Sequence, residues 1–259
     1  MTTPEVVPEK FDSPIDYKIL FLIIFSSIVF QFLLNVLFPS DDRDFIVSIV
    51  SVINPLAASL AGFIVTLRYR GSLVFGKSYL MLSLGFFCAF LGELAYLIYD
   101  LVLNIEPYPS IADVFFFAYS PFLIAHLIIN IRFFQPKTKF VTKVWVSIIP
   151  IGIVFAYIWF SLHEIGEVNF DFYYGTIFVA ATSVALTLTI LGTRIFKEGI
   201  LGKSWLILLF GILSLTIADD VYYYLEIPGN YDLTHPINIL WYAGYWIVFY
   251  ALLKHKESI

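Results

Sequence analysis

"YKILFLIIFSSIVFQFLLNVLF", residues 17 to 38, carries one charge, Lys18, in a run otherwise apolar but for Ser26, Ser27, Gln31 and Asn35. As a helix rising 1.5 Å per residue, a run of this length spans the ~30 Å of hydrocarbon in a bilayer. Similar runs recur at about 45 to 67, 79 to 103, 111 to 133, 142 to 162, 173 to 193, 204 to 226 and 237 to 253, with only short polar breaks between them. The chain is 60% hydrophobic and 14% charged, with a mean hydropathy of +0.87, whereas soluble domains run near half apolar and a quarter charged. The expected fold is therefore all-α: a polytopic membrane helix bundle of eight transmembrane helices.

Lysine and arginine test that count, because they collect in the cytoplasmic loops of membrane proteins. With eight alternating helices, all but one of the 15 basic residues fall on one side. Lys10, Lys18, Arg68, Arg70, Lys77, Arg132, Lys137, Lys139, Lys143, Arg194, Lys197, Lys203, Lys254 and Lys256 share it, and only Arg43 lies opposite. The sorting predicts a multi-pass protein of the cell membrane with both termini inside. Residues 1–16 and 255–259 would be cytoplasmic tails around a membrane domain at 17–254. All but six of the 20 acidic residues fall in outer loops or outer helix halves. That bias either concentrates cations at the outer face or merely complements the basic inner loops.

Several chemistries are excluded. Cys88 is the only cysteine, so neither an intrachain disulfide nor a thiolate metal cluster can form. The first 16 residues lack the basic start of a cleavable signal, and the first run reads as a permanent helix. There is no P-loop, dinucleotide fingerprint or HExxH spacing, and no basic cluster beyond the inner loops. No cofactor, metal or nucleic acid is expected; the partners expected are membrane lipids and a cytoplasmic or membrane signalling protein.

Two stretches resemble each other. GELAYLIYD (92–100) lies over ADDVYYYLE (218–226), so Glu93, Tyr96 and Asp100 match Asp219, Tyr222 and Glu226. Positions i, i+3 and i+7 share a helical face, giving each helix a stripe of carboxylate, phenol and carboxylate. Both helices run outward, which predicts a parallel 4+4 internal duplication with halves at about 17–133 and 142–254 and a site at the repeat interface. Asn54-Pro55 predicts a kink in the second span, with the asparagine satisfying a freed backbone group. Gly85, Ala89, Gly92, Ala180, Ala181 and Gly192 offer close-approach surfaces between helices.

Candidate residues divide by depth. Ser110 and Asp113, in YPSIADVFFFAYSP (108–121), fit a capping box at the start of span 4, and SPID (13–16) repeats the pattern with Ser13 as cap, Pro14 first and Asp16 third. Capping cannot explain Glu93 and Asp219, which stand roughly 10 to 15 Å below the outer ends of their helices. A carboxylate at that depth must be neutral, paired or facing a wet cavity, and marks a functional candidate. Hydrogen bonding of neutral acids to tyrosine, holding the halves together, is the structural alternative. Tyr96 and Tyr222 share the acids' face, although tyrosines also gather in interfacial belts. His126 falls near mid-membrane, within plausible reach of Glu93, as a packed hydrogen-bonder or as a base.

YPSIADVFFFAYSP followed by ADDVYYYLEIPGNYDLTHPINILWYAGYW resembles the eight-helix membrane modules at the N-termini of some bacterial diguanylate cyclases and archaeal PAS-containing histidine kinases. The matching positions are Pro109, Ser110, Ala112, Asp113, Asp219, Tyr222, Tyr224, Leu225, Glu226, Trp241, Gly244 and Tyr245. The resemblance implies a sensory or anchoring role; this chain carries no output domain after the module. Gly92-Glu93, His126 and Ala218-Asp219 also resemble motif positions of the lysoplasmalogenase-like (YhhN-type) family, with Glu for Asp, Ala for Ser and Ile129 for a tyrosine.

Three functions follow as expectations. The first is a sensory or ligand-binding module whose outward-facing site is built from Glu93, Tyr96, Asp100, Asp219, Tyr222 and Glu226. The second is an intramembrane lysolipid hydrolase with Glu93, Asp219 and His126 as catalytic residues. The third is a proton-coupled carrier, which needs an inward route that the nearly acid-free inner helix halves do not offer.

Overall fold

A computed structural model of the chain describes residues 15–135, 137, 139–196 and 202–257. The described residues form eight α-helices and no strand: α1 (Tyr17–Leu37), α2 (Ser40–Arg68), α3 (Phe75–Leu97), α4 (Ile111–Phe134), α5 (Phe140–Glu164), α6 (Phe170–Phe196), α7 (Gly202–Glu226) and α8 (Asn238–Glu257). A π-helical turn, Ile98–Val102, continues α3.

Local chemistry sets the ends. Ser110 caps α4 by accepting from the Ala112 N–H, while the Ser110 N–H donates to Asp113 Oδ2 at 2.6 Å, so the expected capping box forms. At α1 the cap is Asp16, which accepts from the Lys18 N–H at 2.8 Å, and is not the third helical residue as SPID predicts; Ser13 and Pro14 lie outside the described residues. Gly166 (φ +72°) follows α5 and Gly229 (φ +67°) follows α7, the left-handed positions at which a helix stops.

Six helices close a ring in the order α2, α3, α4, α6, α7, α8 and back to α2, each packed on the next; α1 leans on α8 and α5 on α6. The ring interior is filled by side chains such as Leu82, Phe86, Leu123, Leu208, Ile212 and Val248, all essentially buried. Glycines permit the close crossings: Gly85 and Gly92 face α4, and Gly211 and Gly244 set α7 against α8. The N–H of Asp16, before α1, donates to the Tyr250 hydroxyl late in α8 at 2.9 Å. Gln31 and Asn35, late in α1, donate to the carbonyls of Leu233 and Thr234 just before α8. We call the end where α1 begins and α8 finishes basal, and the other distal.

Seven helices, α1 to α7, are long and apolar enough to cross a membrane. Phe21, Phe25, Phe32, Ile151, Phe155 and Trp159 on α1 and α5 are largely exposed, a surface suited to lipid. Within these helices Ser27, Thr187, Thr189 and Thr216 return their hydroxyls to the carbonyl one turn back, which removes free donors from an apolar setting. The eighth expected span falls short of the same standard. Much of α8's bulk is Trp241, Tyr242, Tyr245, Trp246 and Tyr250, half-polar rings, and the helix runs on through Lys254. Pro55 lies inside α2 as expected, and Asn54 Oδ1 is buried without a partner among the described residues.

Candidate functional site

The distal halves of α3, α4, α7 and α8 converge on a group of acids and phenols. From α8, the indole N–H of Trp241 donates to Asp219 Oδ1 at 2.8 Å. From α6, the Thr182 hydroxyl donates to Asp220 Oδ1. Asp220 is buried, and its Oδ2 has no partner among the described residues. Glu93, on α3, stands within electrostatic reach of Asp219 and accepts no hydrogen bond among the described residues.

Two phenols complete the group. Tyr119 on α4 lies within electrostatic reach of Asp219, and Tyr242 on α8 within reach of Glu93. Both hydroxyls are buried without a hydrogen-bond partner among the described residues. Tyr245, one turn beyond Trp241, reaches both acids and packs on Phe86, which also packs on Tyr119. An unmade bond at a buried polar group costs about 1 to 3 kcal/mol. Three such groups, Asp220, Tyr119 and Tyr242, gather here.

An aromatic rim lies further out. Tyr222 meets Tyr231 edge-on at 4.7 Å and Trp241 at 5.7 Å. Tyr231, in the loop between α7 and α8, donates to Asn238 Oδ1 at 3.0 Å. Burial pushes its phenol well above the ordinary range, so it remains a donor at neutral pH. Tyr96 is 41% exposed, which leaves the group partly open at the distal end.

The other predicted acids stand at this rim, Asp100 and Glu226 within electrostatic reach of Tyr96 and Glu226 within reach of Tyr222. Glu226 is the last residue of α7 and exposed. Asp100 sits in the π-helical turn, where Leu103 N–H bonds to the Ile98 carbonyl five residues back, and stays within electrostatic reach of Tyr96.

His126 is not beside Glu93. It is fully buried in the basal half, with Nδ1 2.9 Å from the Ser78 carbonyl and 2.8 Å from Ser78 Oγ, and its ring stacked on Trp205. Glu93 stands fifteen positions further along α3, roughly 22 Å at 1.5 Å per residue. Among the described residues no cluster of three or more His, Cys, Asp or Glu could hold a metal.

Residue-type reasoning passed over Asp220, Thr182, Tyr119 and Tyr242. The Asp219-Asp220 doublet deep in an apolar run was a signal, since two adjacent acids on one helix point about 100° apart and each needs its own partner. Asp113 does more than cap: the Tyr174 hydroxyl donates to its Oδ1 at 2.5 Å, tying α4 to α6. Compared with known proteins, the chain matches no family model, no curated protein and no solved structure.

Proposed function

We propose that the chain is a membrane-embedded sensory or ligand-binding module whose distal group of Glu93, Tyr119, Asp219, Asp220 and Tyr242 takes a ligand rich in positive charge or hydrogen-bond donors, such as an organic amine. The observation that carries this reading is the convergence of three acids with two donor-capable phenols that lack partners among the described residues. Carboxylates at membrane depth are costly enough that a structural role alone would leave them fully bonded. The charge sorting of the loops supports an outer position for the distal end, with both termini cytoplasmic.

Contacts between helices support the duplication. Exchanging the first four helices for the last four turns α2 on α3 into α6 on α7, α3 on α4 into α7 on α8, and α4 on α6 into α8 on α2. The peripheral α1 and α5 do not follow the exchange. The resemblance to the sensory modules fits this reading, with occupancy passed to a separate signalling partner. The separation of His126 from Glu93 favours binding over hydrolysis.

Thermal unfolding of the purified protein in detergent tests the proposal with a panel of organic mono- and diamines beside matched carboxylates. At least one amine should raise the midpoint saturably in the wild type, and Glu93→Gln with Asp219→Asn should abolish the shift. No amine response, or a response unchanged in the double variant, refutes it.

A further inference from the structure

The basal end carries a second kind of site. A cavity of about 430 Å³ opens among Lys139, Thr142, Trp145 and Arg194, and a smaller one of about 200 Å³ lies among Arg132, Lys143, Val146 and Leu188; Leu191 walls both. Both sit in the seam between α4, α5 and α6. We propose that this seam binds the headgroup of an anionic phospholipid, its phosphate held among Arg132, Lys139, Lys143 and Arg194.

Charge is the first argument. No Asp or Glu occurs between Asp113 and Glu164, and α6 contains only Asp171; all three belong to the distal ends. Among the described residues no carboxylate lies within ion-pair distance of the four cations. Topological sorting accounts for basic residues at this end, but not for their gathering along one seam around open volume.

Geometry is the second. The Arg194 guanidinium is held 4.7 Å over the Trp145 ring, which fixes a planar, bidentate donor at the cavity wall. Helix α5 begins here, at Lys139, with no side-chain cap and no acid in its first turn. Its free N–H groups and positive dipole end add to the attraction for a phosphate.

The surroundings select a lipid over a free anion. Phe140 and Val141, beside the cations, are 79% and 73% exposed, as residues dipping into a bilayer interface would be. The smaller cavity carries Ile128, Ile131 and Val146 beneath Arg132 and Lys143, an apolar wall for an acyl chain below a charged rim. Basic pockets between membrane helices recognise anionic headgroups in this way.

Thermal shift and native mass spectrometry on the purified protein decide it, with dioctanoyl phosphatidylglycerol, dioctanoyl phosphatidylcholine and inorganic phosphate as probes. Phosphatidylglycerol alone should stabilise saturably and remain bound. Arg132→Gln/Lys143→Gln/Arg194→Gln should weaken that binding about tenfold or more, and Arg70→Gln/Lys77→Gln, at the same end but off the seam, should leave it intact. Equal binding of phosphatidylcholine, an equal shift with inorganic phosphate, or equal loss in both variants overturns the proposal. Lys143→Gln alone, with the three wild-type titrations, decides the matter should the triple variant not fold.

Discussion

The outer ends of α3 and α7 start from nearly the same pattern, acid-x-x-Tyr-x-x-x-acid, and come to different structures. In α7 the helix stays regular to Glu226, and its acids are gripped: Asp219 by the Trp241 indole, Asp220 by the Thr182 hydroxyl. In α3 the regular helix gives way to a π-helical turn at Ile98, and Glu93 has no hydrogen bond among the described residues. One acid group is anchored and the other is loose. A pocket needs both, because fixed groups define its shape while a carboxylate free of protein bonds can answer a ligand. π-helical turns recur at functional sites, and this one sits where α3 releases its register beside Glu93.

The largest difference between the two helices is expected in their packing. A Cβ on Gly211 of α7 would come 2.9 Å from the Val248 backbone nitrogen and 3.0 Å from the Gly244 carbonyl, and backbone cannot yield. On Gly92 of α3 its three nearest atoms would all belong to the Phe116 ring, the first at 2.6 Å, and a ring can turn. Gly211→Ala should cost about 3 kcal/mol and Gly92→Ala about 1 kcal/mol, read as the fall in unfolding free energy in detergent. Equal losses would mean that the α3–α4 crossing is as rigid as the α7–α8 crossing.

Hydrogen bonding comes next. Thr182→Val strips buried Asp220 of the donor it has, and Trp241→Phe does the same to partly buried Asp219. The first should cost about 2 to 3 kcal/mol and the second about 1 to 2 kcal/mol by the same measurement. Glu93→Gln removes no bond and should stay within about 0.5 kcal/mol of wild type while losing the amine response. A destabilisation by Glu93→Gln as large as that of Thr182→Val would make Glu93 a structural acid and erase the contrast.

Most of this was written in period and composition. Runs of apolar residues located every helix, and Ser110 with Asp113 located the start of α4, because both signals are local. The depth of Glu93 and Asp219 was legible for the same reason. What escaped required knowledge of neighbours. Tyr119 and Tyr242 look like ordinary belt or core aromatics until their hydroxyls are found unpaired, and Asp220 looks redundant beside Asp219 until Thr182 arrives from another helix. His126 is expected near mid-membrane and within reach of Glu93, yet it lies in the basal half with Ser78 as its partner, a pairing that only the helix packing reveals. The π-helical turn has no residue signature in YLIYDLV.

The smallest effect concerns how the two helices are left behind. After α3 the chain turns through Asn104 in the left-handed region (φ 51°), and the loop is tied down by Tyr108 on Asp171 and by the Ser110 N–H on Asp113. After α7 the chain passes Gly229 and then closes on Asp232, whose Oδ1 accepts from both the N–H and the hydroxyl of Thr234. The Thr234 carbonyl in turn accepts from Asn35, so this turn docks the end of α1. The Thr234 bonds hold the Asp232 carboxyl below the usual aspartate range. A carboxyl depressed in the folded state contributes stability that is complete above its unfolded value, ~3.9, and is lost as pH falls through the folded value. Because the carboxylate is open to solvent, the loss is slight. Amide exchange of the 230–238 loop should therefore quicken only below about pH 4, and Asp232→Asn should remove that response. An equal acid response in Asp232→Asn would place the acid sensitivity in the shared bundle rather than in this turn.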